Sequence, residues 1–418
     1  MQHNAFPRGV TKDALIDWYR ALRARTRSLF ELVVPDAYYD RPIALRNPIV
    51  FYEGHFPGFA VNTLVKLTLG APGVDEGLEL LFARGIDPED ETAVRSPADV
   101  WPSRETVHAF GRESDALIER TLRTIDIDAH AEAIFTILEH EAMHHETLLY
   151  MLHELSYAKK VRPANAALTP SLPRVSRDLR MIPIPRGIAR LGAPRSQFGW
   201  DNEFPQHDVD VPEFAIDPYN VTNGEWLEYM TATGASAPHF WTRGENEWCW
   251  RGMFEALPLD LDAPVYVTHD EAAAFARWKG KRLPSEAQFH RAAFGDDDGP
   301  YPWGDAPPDR TRGNFDFASF EPVPVGSYPN GVSPFGVHDL VGNGWEWTST
   351  VFDGFDGFAP MRSYPQYSID FFDGKHYVMK GASPATDRTV VRRSFRNWFR
   401  PNYPYVYATF RCVASVSS

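Results

Sequence analysis

The sequence predicts an α+β protein in which a helical bundle precedes a loop-rich domain of short strands. Four segments before residue 160 repeat apolar residues at helical spacing; they span residues 11–33, 49–69, 103–125 and 129–155. A basic, proline-bearing stretch without sustained periodicity follows them. Beyond about residue 180, short β-prone pieces alternate with loops rich in Gly, Pro, Asn and Trp, which is typical of an α+β domain.

These differences in periodicity and composition predict three regions along the chain. The four helical segments predict a four-helix bundle at 1–160, followed by a linker at 161–180 and the α+β domain at 181–418. The second helical segment contains Pro57 and Gly58, so we expect its helix to be broken or kinked there.

Composition limits the function. A chain of 418 residues with 43% hydrophobic content can bury two cores, and its net charge of −14 argues against nucleic acid or an anionic membrane as partner. No run of roughly 18 apolar residues or signal-peptide pattern occurs, so we expect a soluble cytoplasmic protein. With only two cysteines, a Cys-rich zinc site is excluded, and small-molecule substrates become the expected partners.

The stretch EHEAMHHE at 139–146 predicts a metal site on the last helix. Its H-E-x-x-H spacing places His140 and His144 one turn apart on one helix face, where a single metal ion can bridge them. A third ligand is needed, but the glycine turn and downstream histidine of many zinc proteases are absent, and Glu154 reaches back poorly. His55 in the second helix suits a site in the bundle core better.

Three neutral imidazoles with open coordination positions suit redox-active iron or catalytic zinc. One alternative is therefore a zinc hydrolase that uses Glu141 as its base, and another is a non-catalytic ligand-binding protein on a lectin-like fold. If iron is bound, Glu141 needs no base role and is expected at the surface or beside a ligand. The remaining histidines of the helical segments are expected to be surface or packing residues: His108, His130, His145 and His153.

Taken together, several motifs resemble one family. They are GH at 54–55, H-x-x-x-H-x-E at 140–146, and FGWDNE, VTNGEW, KRLPSEAQFHRAA, VGNGWEWT and FRC in the C-terminal half. In order and spacing they resemble the EgtB-like, ergothioneine-type sulfoxide synthases. That resemblance implies a DinB-like four-helix bundle followed by a formylglycine-generating-enzyme-like domain of C-type-lectin character. It also implies an O2-dependent non-haem iron enzyme with Fe(2+) on His55, His140 and His144, and hercynine as a substrate.

The resemblance also implies where substrates bind. Asn397 and Trp398 match an Asn-Trp pair expected near hercynine, where the indole can meet the trimethylammonium group. Phe399 and Tyr403 occupy positions at which relatives that use γ-glutamylcysteine carry an aspartate and an arginine. The arginines expected before the third helix are also few, with Arg95 and Arg104 remaining. Loss of these charged groups favours a neutral chalcogen donor.

The selenoneine synthase branch of the family, which joins hercynine to a selenosugar, is therefore ranked first. The alternative is a sulfoxide synthase that uses cysteine or γ-glutamylcysteine. The family also employs a tyrosine as proton donor near the iron, for which Tyr364 and Tyr367 are both candidates. Residues 380–396, which match a cysteine-bearing stretch of the copper-dependent formylglycine generators, contain no cysteine, so sulfatase-modifying activity is not expected.

Overall fold

The computed structural model describes residues 10–83, 101–164, 177–245 and 247–416. The chain divides into two compact units. The first unit contains Met1–Ala164 together with the short segments Arg195–Phe198 and Met361–Pro365, and the second contains the rest. Helices form the first unit and mixed helix and sheet the second, so the predicted α+β class is confirmed. Most of the predicted linker, and Arg95, lie outside the described residues.

Among the residues that the structure describes, five α-helices build the first unit. They are α1 (Lys12–Phe30), α2 (Ile49–Ala60), the short α3 (Glu76–Leu81), α4 (Arg104–Thr124) and α5 (Ile127–Glu154). Local sequence fixes where the long helices begin, because Thr11, Ser103 and Asp126 each accept a backbone N–H bond at the N-cap. Apolar side chains of α1, α4 and α5 then share one core, which includes Leu15, Ile118, Leu122, Ile134 and Leu138.

Helix α2 differs from the prediction. All twelve of its residues are buried, and the helix continues through Pro57 to Ala60. The backbone then changes to a π-helical segment, Val61–Thr68, without an intervening loop. Of the two expected outcomes, a break at Pro57 is therefore wrong, because packing on every side of α2 outweighs the local cost of the proline, and a kink there stays a prediction.

In its described part, the second unit contains twelve short strands and three α-helices. The helices are α6 (Asn223–Thr233), α7 (His269–Trp278) and α8 (Glu286–Phe294). The largest sheet has the order β10-β9-β8-β11, formed by β8 (Gly344–Val351), β9 (Tyr377–Ala382), β10 (Asn397–Phe399) and β11 (Ala408–Thr409).

The other strands form three small sheets. Their members are β1 (Ile182–Ile184), β4 (Phe214–Ile216) and β12 (Val413–Ala414) in the order β1-β4-β12, then β2 (Gly187–Leu191) with β3 (His207–Val211), and finally β5 (Trp241–Arg243), β6 (Trp248–Arg251) and β7 (Ala256–Pro258). Helix α8 packs on β2 and β3, where Phe289, Ala292 and Phe294 join the core of this unit.

Two of the sequence motifs meet inside the second unit. Glu346 of VGNGWEWT and Arg411 of FRC form a fully buried ion pair with an oxygen–nitrogen distance of 2.7 Å. Removing one partner of such a pair leaves an uncompensated buried charge, which destabilises a protein by about 3–5 kcal/mol. Loss of either residue alone is therefore expected to destabilise the domain.

No helix within the described ranges is long and apolar enough to cross a membrane. The cytoplasmic location predicted from the sequence stays a prediction.

Candidate metal centre

Helix α5 supplies two histidines to one buried cluster. His140 and His144 lie one helical turn apart, and their ring centroids are 4.4 Å from each other. Both rings face α2, where His140 meets Phe59 and His144 meets Phe56. The spacing of four residues thus has the effect expected from the sequence: it aims two imidazoles at one neighbouring helix.

Helix α2 supplies the third histidine. The His55 ring centroid lies 5.0 Å from that of His140 and 5.1 Å from that of His144. One nitrogen of each ring can be chosen so that all three lie within 4.8 Å of one another. His55 and His140 are each 3% exposed. The structure therefore brings together the three residues that the sequence predicts as metal ligands.

The surroundings of the rings fit a metal ion. Both ring nitrogens of His140 are buried, and neither has a hydrogen-bond partner among the described residues. Leaving two such atoms unsatisfied costs free energy, which a metal–nitrogen bond at one of them would relieve. His55 uses Nδ1 in a 2.9 Å hydrogen bond with the backbone oxygen of Phe82, so its Nε2 is the nitrogen left for a metal.

Aromatic rings hold the imidazoles in place. The ring of Phe59 stacks on His140 with centroids 3.5 Å apart and planes 8° apart. Phe51 stacks on His55 at 4.8 Å and 20°. Parallel ring contacts of this kind limit how far an imidazole can tilt, so the cluster is orientated largely by packing.

Burial keeps the three imidazoles neutral. It lowers the pKa of His55 to about 4, against a raising contribution from the Phe82 carbonyl. Burial, followed by the neighbouring histidines, also lowers the pKa of His140 and His144 well below the usual range. Neutral imidazoles offer lone pairs, so the cluster can bind a transition metal at neutral pH without first releasing protons.

Glu141, the neighbour of His140 on α5, directs its carboxylate to Arg23 and Thr26 of α1. Glu141 is 2% exposed. Its carboxylate accepts a 2.9 Å hydrogen bond from Arg23 and a second hydrogen bond from the hydroxyl of Thr26. Burial would raise the pKa of Glu141, but Arg23 and the hydrogen bonds outweigh it and hold the pKa near 2.

Of the two placements expected for Glu141, at the surface or beside a ligand, the surface placement is wrong, because the residue is buried against Arg23. A general base must reach the reacting centre, whereas Glu141 is engaged with Arg23. The geometry therefore disfavours a zinc hydrolase. His145 shares this side of the helix, because it is fully buried and lies 2.7 Å from the Thr26 hydroxyl.

A loop brings a tyrosine to the cluster. Segment Met361–Pro365 belongs to the first unit, and the ring of its Tyr364 lies 5.2 Å from Phe59 and 6.2 Å from His140, measured between centroids. Of the two tyrosines left open by the sequence, Tyr364 is thus the one beside the histidines of this unit.

Two residues of α5 hold that loop. The Glu132 carboxylate accepts hydrogen bonds from the backbone N–H of Ser363 at 2.8 Å and from its hydroxyl at 2.9 Å. The Thr136 hydroxyl lies 2.9 Å from the same Ser363 hydroxyl. Glu132, Thr136, His140 and His144 follow one another at intervals of four residues, so one stripe of α5 carries both the loop contacts and the histidines. No sequence motif marks this stripe, because its partner lies more than 200 residues away.

The predicted substrate residues lie in the second unit. Asn397, Trp398 and Phe399 form β10, and the Trp398 ring stacks on Phe352 with centroids 4.1 Å apart. Tyr403 is 7% exposed and stacks on Phe399 at 5.1 Å and 18°.

Tyr367, the other candidate proton donor, belongs to this aromatic group. Its ring stacks on Trp200 with centroids 4.0 Å apart and meets the edge of Trp398 at 5.2 Å.

Arg104, one of the two predicted anion-binding arginines, is engaged in the first unit. Its guanidinium lies over the ring of Tyr38 at 4.7 Å, and its Nε is 3.6 Å from the carboxylate of Glu53. The Tyr38 hydroxyl donates a hydrogen bond to that carboxylate, and Nε2 of His108 lies 3.0 Å from it. These contacts explain Arg104 structurally, as part of the connection between α2 and α4.

Known proteins match this chain over almost its full length. Residues 167–416 match the family model described as Sulfatase-modifying factor enzyme 1-like domain. Hercynine oxygenase of Mycobacterium tuberculosis is 32% identical over 424 residues, covering 93% of this chain and 96% of that protein. Hercynine oxygenase of Mycolicibacterium thermoresistibile is 34% identical and covers 81% and 84%. Ergothioneine biosynthesis protein 1 of Schizosaccharomyces pombe is 30% identical over 92% of this chain and 54% of its own length.

A helical unit with three converging histidines, joined to a domain of this kind, defines an oxygen-dependent oxidoreductase. More particularly, the chain belongs to the hercynine oxygenase family, the EgtB-like enzymes with a sulfatase-modifying-factor domain. The resemblance predicted from the sequence motifs is confirmed at this level. The relatives carry names from ergothioneine biosynthesis, so they do not single out the selenoneine branch that the sequence analysis ranked first.

Proposed function

We propose that this protein is a hercynine oxygenase that uses Fe(2+) and O2 to join a thiol sulfur to the imidazole ring of hercynine. The buried cluster of His55, His140 and His144 carries the proposal, together with relatives named for this activity. In a sulfoxide-forming reaction, the imidazole carbon loses its proton, the thiol loses its own, and a carbon–sulfur bond forms. One oxygen atom of O2 ends on sulfur and the other leaves as water with both protons.

The three histidines are the proposed iron ligands, with His55 binding through Nε2 because its Nδ1 is hydrogen-bonded to Phe82. The chemistry that iron supplies when bound is the activation of O2 beside two organic substrates. Ferrous iron suits this set better than calcium or magnesium, because imidazole nitrogen is a poor ligand for those hard cations.

Tyr364 is the proposed proton donor. Its ring adjoins both His140 and the stacked Phe59, and Ser363 fixes the adjacent backbone through Glu132. A phenol in this position can deliver a proton to the oxygen atom that leaves as water. Tyr364→Phe should therefore lower turnover while leaving iron affinity unchanged.

Residues of β10 are the proposed hercynine site. The indole of Trp398 can meet the trimethylammonium group through a cation–π contact, worth about 0.5–2 kcal/mol. The side-chain oxygen Oδ1 of Asn397 accepts a 2.9 Å hydrogen bond from the backbone N–H of Trp398, which fixes the orientation of the Asn397 side chain. A Trp398→Leu variant should raise the KM for hercynine by about 2- to 30-fold, the range that corresponds to that free energy.

A second candidate function rests on the aromatic residues after β10. Phe399 and Tyr403 stack on each other, and Tyr405 meets the edge of Tyr403 at 5.0 Å. These three rings carry no charge of their own to hold the carboxylates of γ-glutamylcysteine, but they can pack against a sugar ring. This observation favours a selenosugar as donor and a carbon–selenium product, whereas the names of the relatives favour sulfur.

One competition experiment tests both candidates. Iron-loaded protein is given hercynine and equal amounts of cysteine, γ-glutamylcysteine and a selenosugar, then O2, and products are identified by mass spectrometry. A hercynine sulfoxide supports the main proposal, and a selenium adduct supports the second candidate. His140→Ala should abolish either product, while His130→Ala, a change on the same helix outside the cluster, should not. Oxygen-independent turnover, or none with any donor, would refute the proposal.

A further inference from the structure

His55 is held by a backbone oxygen that no side-chain motif would reveal. Its Nδ1 lies 2.9 Å from the carbonyl oxygen of Phe82, the residue directly after α3. Carbonyl groups at a helix C-terminus lack a partner within their own helix, so this oxygen is free to accept from an imidazole. The bond requires hydrogen on Nδ1 and leaves the lone pair on Nε2.

The preceding glycine makes this approach possible. A Cβ atom at Gly54 would lie only 2.4–2.5 Å from three ring carbons of Phe82, closer than carbon atoms approach in proteins. The ring cannot simply move aside, because Phe110 and Trp101 stack on it at centroid distances of 6.0 Å and 6.1 Å. A side chain at Gly54 must therefore displace the Phe82 ring, and we expect the attached backbone carbonyl to shift away from α2 with it.

Gly58 offers a contrast one turn further along the same helix. A Cβ atom there would lie 3.5 Å from the Phe82 Cβ and 3.7 Å from the ring of Phe110, which is ordinary van der Waals contact. Both glycines are buried, both face Phe82, and both gain helix propensity when changed to alanine. They differ in whether the methyl group displaces Phe82.

From this geometry we infer that Gly54 and the Phe82 carbonyl act as a positioning pair for His55. The missing side chain at Gly54 lets the carbonyl reach Nδ1, and that hydrogen bond sets the tautomer and ring orientation with which His55 binds metal. The inference rests on the proposed function, since it assigns these residues a role at the same metal site. The role is positional, because neither residue contacts the metal or the substrates.

Metal affinity in matched glycine variants tests the inference. The full-length wild-type, Gly54→Ala and Gly58→Ala proteins are titrated anaerobically with Fe(2+) against a competing chelator, and folding is checked by circular dichroism. Loss of a hydrogen bond to a metal-binding histidine typically weakens affinity 10- to 100-fold, so we expect that loss in Gly54→Ala and less than a threefold change in Gly58→Ala. Equal affinities in the two variants would overturn the inference.

A compensating change separates positioning from general damage. In Gly54→Ala/Phe82→Leu, the smaller side chain makes room for the methyl group while the backbone carbonyl remains. We expect this double variant to regain most of the lost affinity, and Phe82→Leu alone to bind iron nearly as the wild type does. A double variant that binds no better than Gly54→Ala would contradict the positioning role.

A measurement on the unchanged protein covers the case in which Gly54→Ala fails to fold. In metal-free protein labelled with 15N-histidine, the signals of His55 are assigned by their loss in His55→Gln. We expect the tautomer with hydrogen on Nδ1, and the Nε2–H tautomer would overturn the inference. Failure of the proposed function looks different: wild-type protein would then bind no iron, or His55→Ala would bind it as tightly as the wild type.

Discussion

The buried ion pair behind the metal-bearing helix gives a sharp test of how α5 is held. Glu141→Gln removes the negative charge that faces Arg23 while keeping the shape of the side chain. The two side chains are 2% and 8% exposed, and the Arg23 guanidinium also bonds Asp115 at 2.8 Å. Breaking a buried pair costs about 3–5 kcal/mol. Because Asp115 remains to pair with Arg23, we expect the lower end of that range.

That loss should be visible in thermal unfolding. For a unit of about 150–250 residues, 1 kcal/mol corresponds to roughly 2–4 °C, so a loss near 3 kcal/mol predicts a fall of about 6–12 °C in Tm. The matched control is Glu119→Gln, which breaks an exposed pair between α4 and Arg20 of α1 and should leave Tm nearly unchanged.

Activity separates this account from the hydrolase alternative. Below its lowered Tm, Glu141→Gln should bind iron and turn over like the wild type, because Glu141 contacts α1 and not the histidine cluster. If Glu141 were a general base, its replacement by glutamine would remove nearly all turnover of the enzyme with little change in Tm. Equal Tm values for the two glutamine variants, or loss of turnover in a fully folded Glu141→Gln protein, would refute the reasoning.

Three further predictions concern the loop, the stacked ring and a buried acid. Ser363→Ala removes the hydroxyl that contacts Glu132 and Thr136. The loop that carries Tyr364 should then be held less firmly, so turnover should fall while iron affinity stays unchanged. Turnover equal to that of the wild type would contradict this. Phe59→Leu removes the ring stacked on His140, a contact worth about 0.5–1.5 kcal/mol, so iron affinity should fall about two- to tenfold in a chelator titration, and unchanged affinity would count against it. Burial raises the pKa of Asp339 to about 6, so the folded state holds its proton more tightly than the unfolded state and stability falls as pH rises from about 4 to 6. Asparagine tolerates the φ of 55° at this position, so Asp339→Asn should fold normally. Measured by denaturant unfolding, the variant should lack the fall with pH, and its free energy of unfolding at pH 7 should be higher by about 2–3 kcal/mol. An unaltered dependence of stability on pH would refute the assignment.

The parts of the site that lie on one helix could be read from the sequence. His140 and His144 are four residues apart, and helical geometry alone then places them on one face. His55 could be added because a bundle core collects side chains from neighbouring helices, and the GH motif strengthened that expectation. The α+β class followed from the change in periodicity near residue 160 in the same way.

The remainder depends on contacts between segments far apart in the chain. Glu141 pairs with Arg23 across 118 positions, so its burial cannot be inferred from the helix on which it lies. Tyr364 reaches His140 through a loop more than 200 residues away, held by a serine and a threonine without a recognisable motif. Pro57 misled the prediction because its local cost is visible in the sequence, whereas the packing that surrounds α2 is not.

The choice of chalcogen donor shows a different limit. Phe399 and Tyr403 stand where relatives that use γ-glutamylcysteine carry charged residues, and few arginines precede the third helix; these two features favour selenium. The overall similarity to enzymes named for ergothioneine biosynthesis favours sulfur instead. Ring stacking between Phe399 and Tyr403 fits either a neutral donor or a strand packed for stability, so turnover with competing donors is required to choose.

Three imidazoles from α2 and α5 are proposed to coordinate one metal ion, and anaerobic titration with Fe(2+) tests this most directly. We expect about one tightly bound iron per wild-type chain, and affinity lowered by at least about two orders of magnitude in His55→Ala, His140→Ala and His144→Ala. Wild-type affinity in His55→Ala would contradict it, since the ion would then be bound without the residue that α2 supplies.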